Sequence, residues 1–396
     1  MRARKPAVIP PETRATGSLT LELLTSSEGL HHLATDWDGL ARESGASVFH
    51  TAAWVQAWWE AFGRGRSLRA LVVRSGGQLA GILPLCLDRT RSGARRLRAV
   101  GSPEADYGGV LVHPHLWESA VEFLADALYG DRGWDVLWLP QVPEACQATR
   151  LLLGRLREKG CRVVERRSWC YRVRLPASWE EYLETLSRPT RRRLLQKARR
   201  LLELDARADR ADACGQGVDD FAALHTSQWA RRGQSGAFAS PGTLRFHRLL
   251  AEALAARGWL DLWWLKVGET VQAAVYDFRF GRSVYSYLSA VNPDGLLRLS
   301  PGLVLTLWRI RAAIEDGYAD YDLLRGDEPY KESLGAQPYP TSTYLVGRPG
   351  RWRAWWYLAL APLRDALTRR EGRTTPEGGA GPGRRGPRTG RRSVEP

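Results

Sequence analysis

Nowhere in the 396 residues do 18 apolar residues run together, so no segment reads as a transmembrane helix. The opening MRARKPAVIPPETRATGSL is basic and proline-bearing but lacks the apolar stretch of a signal peptide, which argues against export. Cysteine is scarce: residues 86, 146, 161, 170 and 214 form an odd set with no Cys-x-x-Cys pair and no zinc-like spacing. That excludes a disulfide framework and fits a reducing, cytoplasmic setting. Lysine is scarce too, five of 58 basic residues, which carries no functional message by itself. Also missing are a Gly-x-Gly-x-x-Gly after a strand, a GxxxxGK[ST] loop, an HExxH helix and a GxSxG elbow. The common nucleotide, zinc and serine-hydrolase readings lose their support. His113-Pro114-His115 brings no third ligand, so no metal is expected.

What is there is a chain built to fold. Its 44% apolar content, with 17 Trp, offers enough burial to offset the entropy of ordering. At roughly 150 residues per domain the length corresponds to two or three domains. The formal charge of +15 is concentrated: residues 1–14 carry +3, 188–200 carry +7 and 369–396 carry +5. A nucleic-acid-binding fold would spread its basic residues over one face of its body, so nucleic acid is not an expected partner. Residues 1–18 and 371–396 read as disordered tails, the second rich in Gly, Pro and Arg.

Two stretches read alike. The first runs from LRALVVR through Ser75-Gly76-Gly77 to QLAGILPLCL, then through RAVGSPEADYGGVLVHP to a helix with Trp117, Ala120, Val121, Leu124 and Leu128 on one face. Gly133 then leads to the strand WDVLWL. The second runs from DLWWLKV through Gly268-Glu269-Thr270 to VQAAVYDFRF and SVYSYLSA. There a helix carries Leu303, Leu307, Ile310 and Ile314 on one face, and Gly317 leads to ADYDLL. Hairpin, strand, helix, strand therefore occurs twice, predicting a duplicated α/β unit. The boundary falls near 165–178, with the strand CYRVRLP crossing between the halves, giving domains at 19–170 and 171–346.

Between the repeats, SRPTRRRLLQKARRLLE places Leu194, Leu195, Ala198, Leu201 and Leu202 at helical spacing, with arginines on the other face. That basic face suits phosphates, an anionic polymer or plain solvent. Residues 347–370 form a third segment, in which Trp352, Trp355, Trp356, Leu360, Leu363 and Leu367 share a helical face between basic ends. It suits either the interface of an anionic membrane or packing on the second domain.

Two clusters carry chemistry. Ser300-Pro301-Gly302 stands where a loop turns into a helix, whose free amides and positive end bind phosphate. Directly after the next strand comes YDLLRGDEPYKESLGA, where Asp322, Arg325, Asp327, Tyr330 and Lys331 crowd a strand's carboxyl end. That is a usual place for a site in an α/β unit.

Taken in order, FHTAAWVQAWWEAFG, LAGILPLCL, VGSPEADYGG, SRPTRRRLLQKARRLLE, FAALHTSQWARRG, LSPGLVLTLWRIRAAIEDGY and YDLLRGDEPYKESLG resemble the GNAT-like acyltransferases with a BioF2-like acetyltransferase domain. These are related to cellulose-biosynthesis acetyltransferases and, more distantly, to Fem-type peptidyltransferases. The resemblance, over roughly residues 20–345, implies two tandem GNAT-like domains, each a mixed sheet flanked by helices. It also implies acyl transfer from acetyl-CoA or another acyl-CoA to an amine or hydroxyl. Arg298, Ser300, Pro301 and Gly302 then stand where the family holds the CoA pyrophosphate, although Arg298-Leu-Ser-Pro-Gly replaces the usual Arg/Gln-x-x-Gly-x-Gly/Ala. Tyr330 resembles the proton-donating tyrosine of the family's Tyr-x-x-x-Gly-Phe helix, with its Gly one residue late and Ala336 in place of Phe.

Acyl transfer asks for a base, an acid and a charge stabiliser. Asp327 is the expected base, Tyr330 the acid, and Lys331 or Arg325 the stabiliser or the holder of an acceptor phosphate. His50, Trp54, Asp106, Tyr107 and Asp322 are expected to line a cleft for a small-molecule or glycan acceptor, such as an exopolysaccharide precursor. Two alternatives stand beside this. One is Fem-type aminoacyl transfer from a charged tRNA to a cell-wall precursor. The other is a non-catalytic, membrane-peripheral scaffold.

Overall fold

The computed structural model describes residues 19–211 and 216–360. The tails at 1–18 and 371–396, together with Leu363 and Leu367, lie outside them. The first half builds strands β1 (Leu19–Leu24), β2 (Ser67–Ser75), β3 (Gln78–Arg89), β4 (Arg95–Ala99), β5 (Leu111–Val112) and β6 (Val136–Pro143). Its helices are α1 (Ser27–His32), α2 (Ala34–Glu43), α3 (Ala52–Phe62), α4 (Trp117–Gly130) and α5 (Gln147–Glu158). Next come β7 (Arg162–Arg174), α6 (Trp179–Thr185), α7 (Arg188–Leu202), β8 (Ala206–Arg210), α8 (Gln216–Ala230) and α9 (Pro241–Ala255). The chain continues with β9 (Leu260–Val267), β10 (Thr270–Phe280), β11 (Ser283–Val291), α10 (Pro301–Glu315), β12 (Asp320–Arg325), α11 (Pro329–Ser333), β13 (Gln337–Gly347) and α12 (Trp352–Ala359).

The duplication is present, and each half is a mixed sheet flanked by helices. The hairpins β2–β3 and β9–β10 turn on Gly76, Gly77 and Gly268, all at positive φ that a side chain disfavours. In each half a crossover helix then returns the chain to a parallel pairing. Arg96 to Arg98 of β4 pair with Val136 to Trp138 of β6, and Ser283 to Tyr285 of β11 with Asp320 to Asp322 of β12. Helix α4 buries Ala120, Val121, Leu124 and Leu128, and α10 buries Leu307, Ile310 and Ile314, the faces their spacing predicts.

The halves share one 13-stranded sheet, in the order β1-β2-β3-β4-β6-β13-β7-β12-β11-β10-β9-β8 with β5 beside β3. At its centre the halves exchange strands. β13, from the end of the chain, pairs with β6 of the first half, while β7, which follows the first half, pairs with β12 of the second. The two exchanged strands pair with each other from Gln337–Arg172 to Gly347–Arg162. The boundary expected between residues 170 and 171 thus falls inside a strand that both halves use.

Helices α1, α2 and α3 of the first half and α8 and α9 of the second cover one face of the sheet over a shared core. Trp54 lies at its centre, fully buried, with its ring edge-on to Phe49, Phe246 and Phe278. It welds α3 to α9 and does not line an open cleft, a correction to its expected role: its area is worth more in the core than against a ligand. On the opposite face α4 and α5 cover the first half, and α6, α7 and α10 the second.

Candidate functional site

The parallel ladder between β11 and β12 lasts only three pairs. Beyond Tyr285 and Asp322 the strands separate, and the chain leaving β11 turns into α10 beside that opening. Ser300 sits in the left-handed region, φ 51° and ψ 59°, and makes no side-chain cap. Ser300 therefore does not cap the helix, because capping needs extended backbone at that residue. The first helical bond is donated by Val304 to the Ser300 carbonyl, which leaves the amides of Gly302 and Leu303 at the open end.

A lysine from the basic helix stands at this end. Leu194, Ala198 and Leu201 bury one face of α7, and Lys197, beside that stripe, donates to Ser300 Oγ at 2.7 Å and to the Arg298 carbonyl at 3.3 Å. Partial burial, then Arg193 and Arg200, lower its pKa. Cations and free amides converging on a helix start make a pocket of positive potential. Sequence reasoning missed Lys197; the signal was a single lysine among arginines at the edge of an apolar stripe.

Across the opening, the first half supplies the other wall through the loop after β4. Tyr107 donates to Asp322 Oδ2 at 2.9 Å, and Tyr339 of β13 donates to the same oxygen at 2.8 Å. The Leu324 amide bonds Asp322 Oδ1 at 2.9 Å, which Leu324 achieves at a strained φ of 57°. Arg325 pairs with Asp106 and donates to the Pro103 carbonyl at 3.3 Å. Tyr287 of β11 donates to the Glu104 carbonyl at 2.9 Å. Burial pushes the Asp322 carboxyl up to about 8, against the pull of the Leu324 amide and Arg172.

Asp322, Asp106, Tyr107 and Arg325 therefore meet; only Asp322 and Arg325 belong to the strand-end cluster, and Asp106 and Tyr107 come from the first half. Other expected residues do different work. Asp327 is exposed beyond the end of β12, whereas the enclosed, proton-holding carboxyl is Asp322. Lys331 is 2% exposed and spends its ammonium on the carbonyls of Leu324, Arg325 and Gly326, at 3.3, 2.5 and 3.2 Å, and on Glu328 at 3.0 Å. It fixes the turn after β12 and has no donor to spare for an acceptor phosphate. Tyr330, on the short α11, is partly exposed. His50 accepts or donates through Nδ1 to Ser47 Oγ at 2.8 Å, and burial lowers its pKa to about 4, so it is neutral. It lines a cavity of about 20 Å³ with Phe49, Leu83 and Tyr107, room for a single water. Arg298 is exposed beside Ser300. Tyr339 was missed, because β13 reaches the site only through the strand exchange. Among the described residues no group of three His, Cys, Asp or Glu side chains is placed to hold a metal ion.

Splayed parallel strands with a helix starting between them define a GNAT-type acyltransferase fold. Residues 188–332 match the family described as an acetyltransferase (GNAT) domain. The chain is similar in structure to FemX, at 12% identity and a TM-score of 0.59, covering 78% of this chain and 95% of that one. It is also similar to the C-terminal DUF2156 domain of a putative lysylphosphatidylglycerol synthetase from Agrobacterium fabrum, at 13% identity and 0.54, covering 87% and 97%. A third likeness is to L-PGS from Bacillus licheniformis, at 11% and 0.51, covering 84% and 96%. These are likenesses of fold. No curated protein matches the chain.

Proposed function

We propose that this chain transfers an acyl group from acyl-CoA to an amine or hydroxyl of a small-molecule or glycan acceptor in the cytoplasm, an exopolysaccharide precursor being the first class to test. The observation that carries the reading is Lys197 set over the uncapped start of α10. The amides of Gly302 and Leu303, with Lys197, suit a pyrophosphate. Gly302 lets the start of α10 pack closely on β11, since a Cβ there would stand 2.9 Å from Val291 Cγ1.

Acyl-CoA supplies an activated thioester carbonyl. The acceptor's nitrogen or oxygen forms the new bond to that carbon as the carbon–sulfur bond breaks. The acceptor's proton passes to Asp322, directly or through the hydroxyl of Tyr107 or Tyr339, and Tyr330 is the candidate donor to the departing sulfur. A carboxyl titrating near neutral pH suits a base better than one held in the ordinary acidic range.

The test is calorimetric titration of acetyl-CoA into the wild type, Gly302→Trp and Asp322→Asn. Binding kept in Asp322→Asn and lost in Gly302→Trp is the expected pattern. Failure of the wild type to bind acetyl-CoA or longer acyl-CoAs overturns the reading. The exposed arginines of α7, including Arg192, Arg199 and Arg200, favour a second reading, aminoacyl transfer from a charged tRNA. Activity in a crude system that ribonuclease abolishes would select it.

A further inference from the structure

Helix α12 is built inside out. Ala354 and Leu358, one turn apart, form its buried stripe against Val136 of β6 and Leu345 of β13. The larger side chains face away: Trp352 is 66% exposed, Trp355 54%, Trp356 51% and Leu360 36%. Of the other fourteen tryptophans only Trp169, at 44%, is exposed, so three exposed indoles on two turns are a local concentration of apolar area that water does not favour. Leu358 reaches so close that a Cβ on Gly347 would lie 2.5 Å from its Cδ1. The helix is therefore seated tightly while it presents its apolar side outward.

The surroundings are cationic. Arg353 stacks 5.1 Å from the Trp352 ring and is itself exposed. Arg351 donates to the carbonyl of Arg132, another exposed cation, at 3.1 Å. The nearby carboxylate, Asp135, is buried and shared, bonded by Arg95 at 3.1 Å and paired more loosely with Arg351 at 3.9 Å, which leaves Arg353 and Arg132 as the exposed cations of the patch.

We infer that α12 docks the protein on an anionic lipid surface, with its indoles at headgroup depth and its arginines on lipid phosphates. Tryptophan is the side chain that favours this interface, having an apolar ring and one polar N–H. A polybasic rim adds attraction that falls with salt. A second copy meeting this patch about a twofold axis would bring the same arginines face to face, so charge selects the lipid.

The experiment is flotation of the full chain with vesicles of phosphatidylcholine, with and without phosphatidylglycerol, at low and high salt. A Trp352→Ser, Trp355→Ser, Trp356→Ser variant and an Arg351→Gln, Arg353→Gln variant run beside the wild type. The wild type is expected on the phosphatidylglycerol vesicles. The tryptophan variant should lose about ten-fold or more in partitioning, and the arginine variant should lose its salt dependence. An unchanged melting temperature in both variants shows that the fold is kept. Equal binding by the tryptophan variant, or no binding by the wild type to either vesicle, overturns the inference. So does a lipid-independent dimer of the wild type that the tryptophan variant does not form, which would make a second copy the occupant.

Discussion

The guanidinium of Arg325, at the end of β12, is bonded to the carboxylate of Asp106 in the loop that leaves β4. This ion pair joins the halves at the rim of the candidate site, and Asp106 is 6% exposed. Arg325→Met leaves that carboxylate buried without its partner, so it should cost roughly 3 kcal/mol in urea unfolding. Asp106→Asn in the same chain should recover part of the loss, since the two effects are coupled.

Asp322 should leave a mark on the pH dependence of stability. Its folded pKa, raised by burial to about 8, lies above the ordinary carboxylate value of about 4, so the folded state holds a proton that the unfolded state gives up. Its contribution is full below pH ~4 and declines as the pH climbs through about 8. Asp277, pushed up to about 7 by burial, acts in the same direction. Asp322→Asn should flatten the wild-type decline over this window, as chemical denaturation at several pH values would reveal. If Asp322 is the base proposed above, acyl transfer should rise with pH toward the same value in the wild type and lose that limb in the variant.

Lys331 is predicted to be structural. Lys331→Met removes three bonds to main-chain carbonyls at the end of β12 and should destabilise the chain by roughly 3 kcal/mol. Hydrogen exchange should then quicken at Leu324 to Gly326 first, before the rest of β12. If the melting point holds and only turnover falls, Lys331 belongs to the chemistry instead.

Lys197→Gln should weaken acetyl-CoA binding by roughly ten-fold, the worth of one charge-assisted contact to a phosphate. The salt dependence of binding should become shallower. Because Lys197 stands at the edge of the buried stripe of α7 and is only partly buried, the melting temperature should move little.

The repeats were legible because turn glycines and helical spacing are local signals: Gly76, Gly268 and the faces of α4 and α10 stand as their sequence indicates. Of the strand exchange, the crossing of CYRVRLP was legible and the return of β13 to β6 was not. Nothing local in QPYPTSTYLVG names its partners, and Pro338 and Pro340 argue against a central strand. The structure accommodates Pro340 by turning its carbonyl to the Glu144 amide, so its missing N–H falls just outside the ladder with β6, which begins at Thr341. The site was half legible for the same reason. Asp322 and Arg325 announce themselves at a strand end, but Tyr339 and Lys197 arrive through tertiary pairing, and the burial that separates Asp322 from Asp327 is a property of the assembled sheet.

The crossed strands at the centre of the sheet also decide how the protein can move. A cut at the repeat boundary would leave the first half without β13 and split β7, so neither piece has a complete set of pairings to close its own core. The two lobes are laced together and cannot part like jaws around a substrate. Whatever opening ligands require must come from the loops at the rim, above all residues 100–110 and the turn after β12, whose fastening by Lys331 and by the Asp106–Arg325 pair then sets how readily the site admits them.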